Sequence, residues 1–437
     1  MQHTIVIKGI VLTMNGWDIL AYCCLALVAT ALLSSLIGTA PSYSFAEKFK
    51  DPLHSSDFFW LIEALTDAKL NDRTMVEVLA NGENFYPAEL EAIRGAEKSV
   101  NLEAYIFSKG RVAQSFVDEL TKAAKRGVRV NVVIDSLGSF STREFYFRAL
   151  IESGGRVERY HPFSLKSLLR MNNRTHRELL IVDGRVGFIG GAGIADQWRY
   201  GRPKHRRWRD TMAKFQGDVV SSLQATFAEN WCECTGEVLV GSEYWPGDEN
   251  AGTTCAMVIN GSPNASQFTR ARVLFQALIA NAQHSIHITT PYFLPDESLT
   301  EEIVKAKRER SVRLRILVPG DKSDHALTRT SSRLLYGEFL KAGAEIFEYQ
   351  AAMIHAKVLI VDGIWSVLGS TNLDSRSFGL NDEVNLAIID PDIAGELEKH
   401  FEADVAQSKQ ISYEAWKHRG IGERAWEVMG WALRKQQ

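Results

Sequence analysis

Two stretches of this chain open on a histidine and run directly into an apolar strand. The first reads HRELLIVDGRVGFIGG from His176, the second HAKVLIVDGIWSVLGS from His355. In the second, His355, Lys357 and Asp362 stand in the spacing HxKxxxxD. Side chains alternate along a strand, so His355 and Lys357 share a face. The run Val358 to Val361 buries the strand, Ser370 and Asn372 follow as small polar donors, and Glu383 comes later. This set suits phosphoryl transfer without a metal. A phosphodiester needs a nucleophile, a cation to offset charge on its equatorial oxygens, and an acid for the leaving alkoxide. Histidine can attack phosphorus and lysine can hold the oxygens, while a carboxylate on the far ring nitrogen fixes the tautomer. Attack and proton transfer together need two histidines, and a duplicated motif supplies them.

The first copy departs from the second. It reads His176-Arg177-Glu178 and reaches its aspartate at Asp183. Glu178 puts an anion where the second copy has a phosphate-binding cation, and Arg177 points to the opposite face of an ideal strand. Gly191 and Gly193 stand where the second copy has Ser370 and Asn372. Three roles for Glu178 fit the sequence. It disables the enzyme; or Lys357 and a nearby arginine compensate for it; or it works as a carboxylate that changes acceptor choice or pairs with another cation. Retention of both histidines and both aspartates argues against simple decay.

The elements around these motifs repeat in order. IRGAEKSVNLEAYIF from Ile93 matches FQALIANAQHSIHITTPYF from Phe275, each a helix-like segment followed by a strand. A helix and strand follow in each, then a helix closing on glycine, FRALIESGGRVERY and YGEFLKAGAEIFEY, and then the histidine strand. Strand alternating with helix implies α/β units with helices packed on sheet faces. Duplication at this scale predicts two similar domains facing each other across a pseudo-two-fold.

The stretch HAKVLIVDG…GSTNLDSRSFGLNDE resembles the second signature of the phospholipase D superfamily, and the cardiolipin synthase branch in particular. NGENFYPAELEAI, NLEAYIF, RWRDTMAKFQG and TTPYFLPDESL resemble that branch too. The resemblance covers roughly residues 75–410. It implies two α/β/α sandwich domains, a phosphohistidine intermediate, no metal or other cofactor, and phosphatidylglycerol or a similar anionic phospholipid as donor. It also implies that a downstream acid orients a catalytic histidine, Glu383 in the second copy and Asp196 in the first. The nucleophile falls in the first motif, at His176, with His355 as acid and base. Tyr105 and Tyr292, at the ends of the first strand of each repeat, fall near the cleft and join Glu178, Ser370, Asn372 and Arg209 as substrate-binding candidates. The activity implied condenses two phosphatidylglycerols into cardiolipin and glycerol. A phospholipase D hydrolase and a silent lipid-binding homologue are the alternatives.

Composition narrows the setting. The 437 residues carry a net charge of −3, so nothing marks the whole chain as a nucleic-acid binder. Basic character is local, in WRYGRPKHRRWRD (198–210), which suits an anionic headgroup. None of the five cysteines forms a paired framework or a zinc pattern. Residues Ile19 to Ala40 hold no charge, and at 1.5 Å rise they span about 30 Å, a bilayer core. That predicts a single anchor to a bacterial cell membrane, and Lys8 against Lys48 and Lys50 leans the catalytic part toward the cytoplasm. The expected organisation is an anchor in 1–50, a first domain in 51–245, a second in 246–410 and an amphipathic tail helix in 411–437. In that tail, Trp416 and Trp426 with basic neighbours fit either a membrane interface or packing on the domain.

Overall fold

A computed structural model describes the chain except residues 1, 8–9, 16, 19, 23–42, 48, 50, 163–171, 202–205, 248–249, 263–268, 421, 425–426 and 428–437. The expected membrane span thus lies outside the described residues, apart from Leu20, Ala21 and Tyr22. Among the described residues no helix is long and apolar enough to cross a membrane. A short antiparallel hairpin, Gln2–Ile7 on Ile10–Asn15, precedes it.

The two copies are two halves of one mixed 16-stranded sheet, fifteen strands in one path and the short strand Arg174–Thr175 paired with Asn381–Ile389 off it. From the outer edge of the first half the strands run Arg156–Tyr160, Arg129–Asp135, Ser99–Ala104, Leu179–Val182, Val186–Gly190, Thr211–Gln216 and Asn71–Ala80. The second half continues with Thr254–Gly261, Asn381–Ile389, Trp365–Gly369, Val358–Val361, Ser285–Thr289, Arg313–Pro319, Glu345–Tyr349 and Ser408–Ile411. In each half the outer strands of the repeat are parallel, joined by helical crossovers, and the histidine strand lies antiparallel beside them. The seam is the antiparallel pairing of Asn71–Ala80 with Thr254–Gly261, which slips register between Thr254 and Ala256.

Apolar side chains form four clusters among the described residues, three of them large. One core sits under helices Gly82–Gly95 and Arg111–Lys125 of the first half, and another under Arg270–Asn281, Glu297–Arg310 and Ala326–Ala342 of the second. A third, with Val133, Phe227 and Trp231 beside Val258, Val384 and Leu397, draws on both halves. Burial at both faces explains why the strands read as near-continuous Val, Ile and Leu runs.

The described part of the tail docks on the second domain. Helix Tyr413–Lys417 is five residues long, and Trp416 donates from Nε1 to the Arg333 carbonyl at 2.7 Å. Its ring fills the space a side chain at Gly337 would take. Trp426 and the last ten residues lie outside the described residues.

Candidate active site

The two histidines sit just before their strands, and each is held by the opposite half. The His355 amide donates to the Arg209 carbonyl at 2.7 Å, and the His176 amide to the Asp382 carbonyl at 2.8 Å. Each of these carbonyls immediately precedes an acid. His355 Nδ1 lies 3.0 Å from Asp210 Oδ2, and His176 Nδ1 lies 3.0 and 3.1 Å from the two Glu383 oxygens. The acid of each half therefore orients the histidine of the other. Neither half can build its own histidine–carboxylate pair.

His355 occupies an apolar cage. Trp198 and Trp208 rings lie 5.5 and 5.4 Å from its own, and Trp198 Nε1 donates to Asp210 at 2.9 Å. Lys357 Nζ lies over the ring, 3.1 Å from Nε2 and 2.8 Å from Nδ1. Burial, and then the Lys357 charge, pulls the His355 imidazolium below its usual range, against the pull of Asp210. Burial would raise Asp210, but the His355 hydrogen bond and the Lys357 charge outweigh it and hold its carboxyl low. Burial also lowers Lys357, with Asp210 and Glu383 opposing.

The glycines of the first copy now have a physical reason. A Cβ on Gly191 would stand 2.9 Å from Lys357 Nζ and 3.0 Å from Asp210 Oδ1. The serine found at the matching place in the second copy would displace that lysine. Ser370 itself donates to Glu383 and accepts from the Val384 amide.

Glu178 is tied to the backbone. Its Oε1 accepts from the Tyr105 and Ile106 amides, both at 3.2 Å, at the end of Ser99–Ala104. A Cβ on Gly193 would meet that oxygen at 2.9 Å. Burial pushes the Glu178 carboxyl well above the usual carboxylate range, opposed by the Ile106 amide and Lys357. Arg177 points to the far face, as alternation predicts, and donates to Thr226 O and Glu229 at 2.9 and 2.7 Å.

Other expected residues fall in different places. The Tyr105 ring lies 5.1 Å from His176, and the Tyr292 ring 6.5 Å from His355 with its hydroxyl on Asp324. Asn372 is buried beside Ser377, with its Oδ1 unpartnered among the described residues. Asp183 and Asp362 lie past the far ends of their strands, roughly 20 Å from the histidines at about 3.3 Å per residue. Their carboxylates collect the amides of Glu97, Lys98 and Ser99, and of Gln283, His284 and Ser285, and so clamp each histidine strand to its neighbour. Asp196 is taken up in capping the helix Arg111–Lys125, where its carboxylate accepts from the Arg111 and Val112 amides. Arg209 is locked onto Asp404 at 2.9 Å and Thr211 at 2.8 Å, so its guanidinium is taken up in structure. In the basic segment, Arg207 pairs with Glu83 at 2.7 Å and Arg199 donates to Gly82 O; residues 202–205 lie outside the described residues.

Asp210 was missed by spacing alone. It follows His176 in sequence but serves His355, so only the paired stretches RWRDTM and LNDEVN, aligned as equivalents, could have pointed to it.

A family described as "Cardiolipin synthase, PLD-like domain" matches residues 90–231 and 275–405. The cardiolipin synthase of Oceanobacillus iheyensis is 32% identical over 374 residues, 86% of this chain and 78% of that protein. The major cardiolipin synthase ClsA of Bacillus subtilis is 32% identical over 370 residues, covering 84% and 76%. In fold, the chain is similar to the phosphatidylserine synthase of Haemophilus influenzae, with a TM-score of 0.63 at 16% identity, over 84% of this chain and 95% of that one.

Proposed function

The chain belongs to the family of cardiolipin synthases built on phospholipase D-like domains, and from that premise we propose that it is a phosphatidyltransferase making cardiolipin from two phosphatidylglycerols. The observation that carries this reading is the pair of histidines, each held by a carboxylate from the opposite half.

The reaction runs in two steps. His355 Nε2 attacks phosphorus, the bond from phosphorus to the glycerol oxygen breaks, and His176 gives its Nε2 proton to that oxygen. Glycerol leaves and a phosphatidyl–histidine remains. A hydroxyl of the second phosphatidylglycerol then gives its proton to His176 and attacks phosphorus. The phosphorus–nitrogen bond breaks, its electron pair returns to His355, and cardiolipin departs.

Two features favour His355 as nucleophile over the His176 implied by the resemblance. Burial and Lys357 keep its imidazole neutral with a lone pair available. Lys357 stands beside it to take the phosphate oxygens once substrate displaces the ring contact. Lys357 thereby compensates for Glu178, whose carboxyl is occupied by backbone amides. The apolar run from Ile19 to Ala40 would serve as a membrane anchor, raising the local concentration of both lipid substrates.

Turnover of phosphatidylglycerol vesicles, read by mass spectrometry, tests the proposal. Cardiolipin with an equal amount of glycerol is the expected product. Phosphatidic acid in its place would identify a hydrolase, and absence of turnover would refute the enzyme.

A further inference from the structure

The residues flanking the two histidines are equivalent in register yet opposite in chemistry. Arg174 pairs with Asn381 beside His176. In the other half the bridge between Arg209 and Ile354 sets Met353 and Trp208 in the matching places beside His355. Met353 and Trp208 are buried and belong to the first-half core. Arg174 and Asn381 are also buried, but part of their hydrogen-bonding capacity is unanswered. Among the described residues, Nε and Nη2 of Arg174, Oδ1 of Asn381 and Oδ1 of Asn372 have no hydrogen-bond partner. Arg174 keeps two contacts, from Nη1 to the His161 carbonyl at 3.2 Å and to Asp135 at 3.7 Å. Its charge reaches the Tyr105 phenol, whose ring lies 5.1 Å from His176. Asn381 Nδ2 donates to Glu383 at 3.4 Å, the carboxylate that holds His176.

Buried donors and acceptors left unpaired cost free energy that a ligand with matching groups recovers. We propose that Arg174 and Asn381 form a subsite for the vicinal diol of a glycerol headgroup, a proposal that rests on the phosphatidyltransferase reading. A hydroxyl accepts from the Arg174 N–H groups and donates to Asn381 Oδ1. An anion is disfavoured there, because the Asp135 carboxyl lies 3.7 Å from the guanidinium and the Glu383 carboxylate accepts from Asn381. An ammonium is disfavoured too, because it cannot accept from Arg174. Placement beside His176 serves both steps of the transfer. The glycerol that leaves and the glycerol hydroxyl that attacks pass through the same side of phosphorus, opposite His355.

Calorimetric titration of the intact protein with water-soluble headgroups tests this. The probes are the methyl phosphodiesters of glycerol, of ethanolamine and of propanol, so that only the first carries a vicinal diol. The wild-type protein should bind the glycerol diester about tenfold or more tightly than either of the others. Asn381→Ala and Arg174→Lys should lose most of that preference, with affinity for the propanol diester little changed. Equal affinities in the wild type would overturn the proposal even if both variants failed to fold. So would a preference that survives in folded variants. Vesicle turnover judges the parent reading separately: a diol preference without cardiolipin would uphold the subsite and reject the transferase.

Discussion

Asp210 and Glu383 hold the far nitrogen of one histidine each, but their surroundings differ. Asp210 is fully buried and also accepts from Trp198 and the Thr211 amide, whereas Glu383 is supported by Ser370 and Asn381. Replacing Asp210 by asparagine keeps the shape but removes the anion that fixes the His355 tautomer. The turnover rate of Asp210→Asn should fall about a hundredfold or more. Asp210 also raises His355 against burial and Lys357. Without it the neutral imidazole persists to still lower pH, so the acid limb of kcat/KM should move down in the variant. A pH profile with the limb moved up would contradict this. At this scale the motif spacing singles out the histidines and Lys357, and Glu383 takes its role from the family resemblance. The structure places Asp196 in a helix cap and Arg209 in a buried ion pair, and chain order does not distinguish such positions from a site.

The strand-and-turn element carries the two aspartates of the motifs. Asp183 and Asp362 adopt left-handed backbone, with φ 55° and 54°, and each carboxylate gathers three successive amides at the start of the neighbouring repeat strand. They fasten the histidine strand to the first strand of its own half. Asp183→Ala loses those bonds and puts alanine in a strained conformation, so stability should drop by about 2–3 kcal/mol. In a chemical denaturation experiment the midpoint should shift, while kcat of the folded fraction is retained. A folded Asp183→Ala protein with no turnover would return the aspartate to the catalytic set. The alternation of strands and helices was readable from the repeat, since each element has its own apolar run. The register beyond each strand was not. Pairing of Arg174–Thr175 with the start of Asn381–Ile389 joins residues about two hundred positions apart, and no local pattern encodes it.

Taken whole, the molecule places a duplicated unit around a single composite site, and the duplication has become asymmetric. The His355 side is apolar and carries the lysine, and the His176 side is polar and carries Glu178. The pseudo-two-fold predicted by the repeat is present in the sheet, where parallel repeat strands and an antiparallel histidine strand recur in both halves. The sequence taken one motif at a time left three roles open for Glu178. With both halves together it is a carboxyl held by backbone amides, and Lys357 stands at the other histidine.

The central claim is that two histidines in this composite cleft divide the work, with His355 attacking phosphorus. Rapid acid-free quenching of the enzyme during turnover of phosphatidylglycerol labelled in its phosphate, followed by peptide mapping, reads this directly. The account predicts label on the peptide containing His355 and its loss in His355→Ala. Label on His176, or cardiolipin formed with no labelled histidine at all, would contradict it.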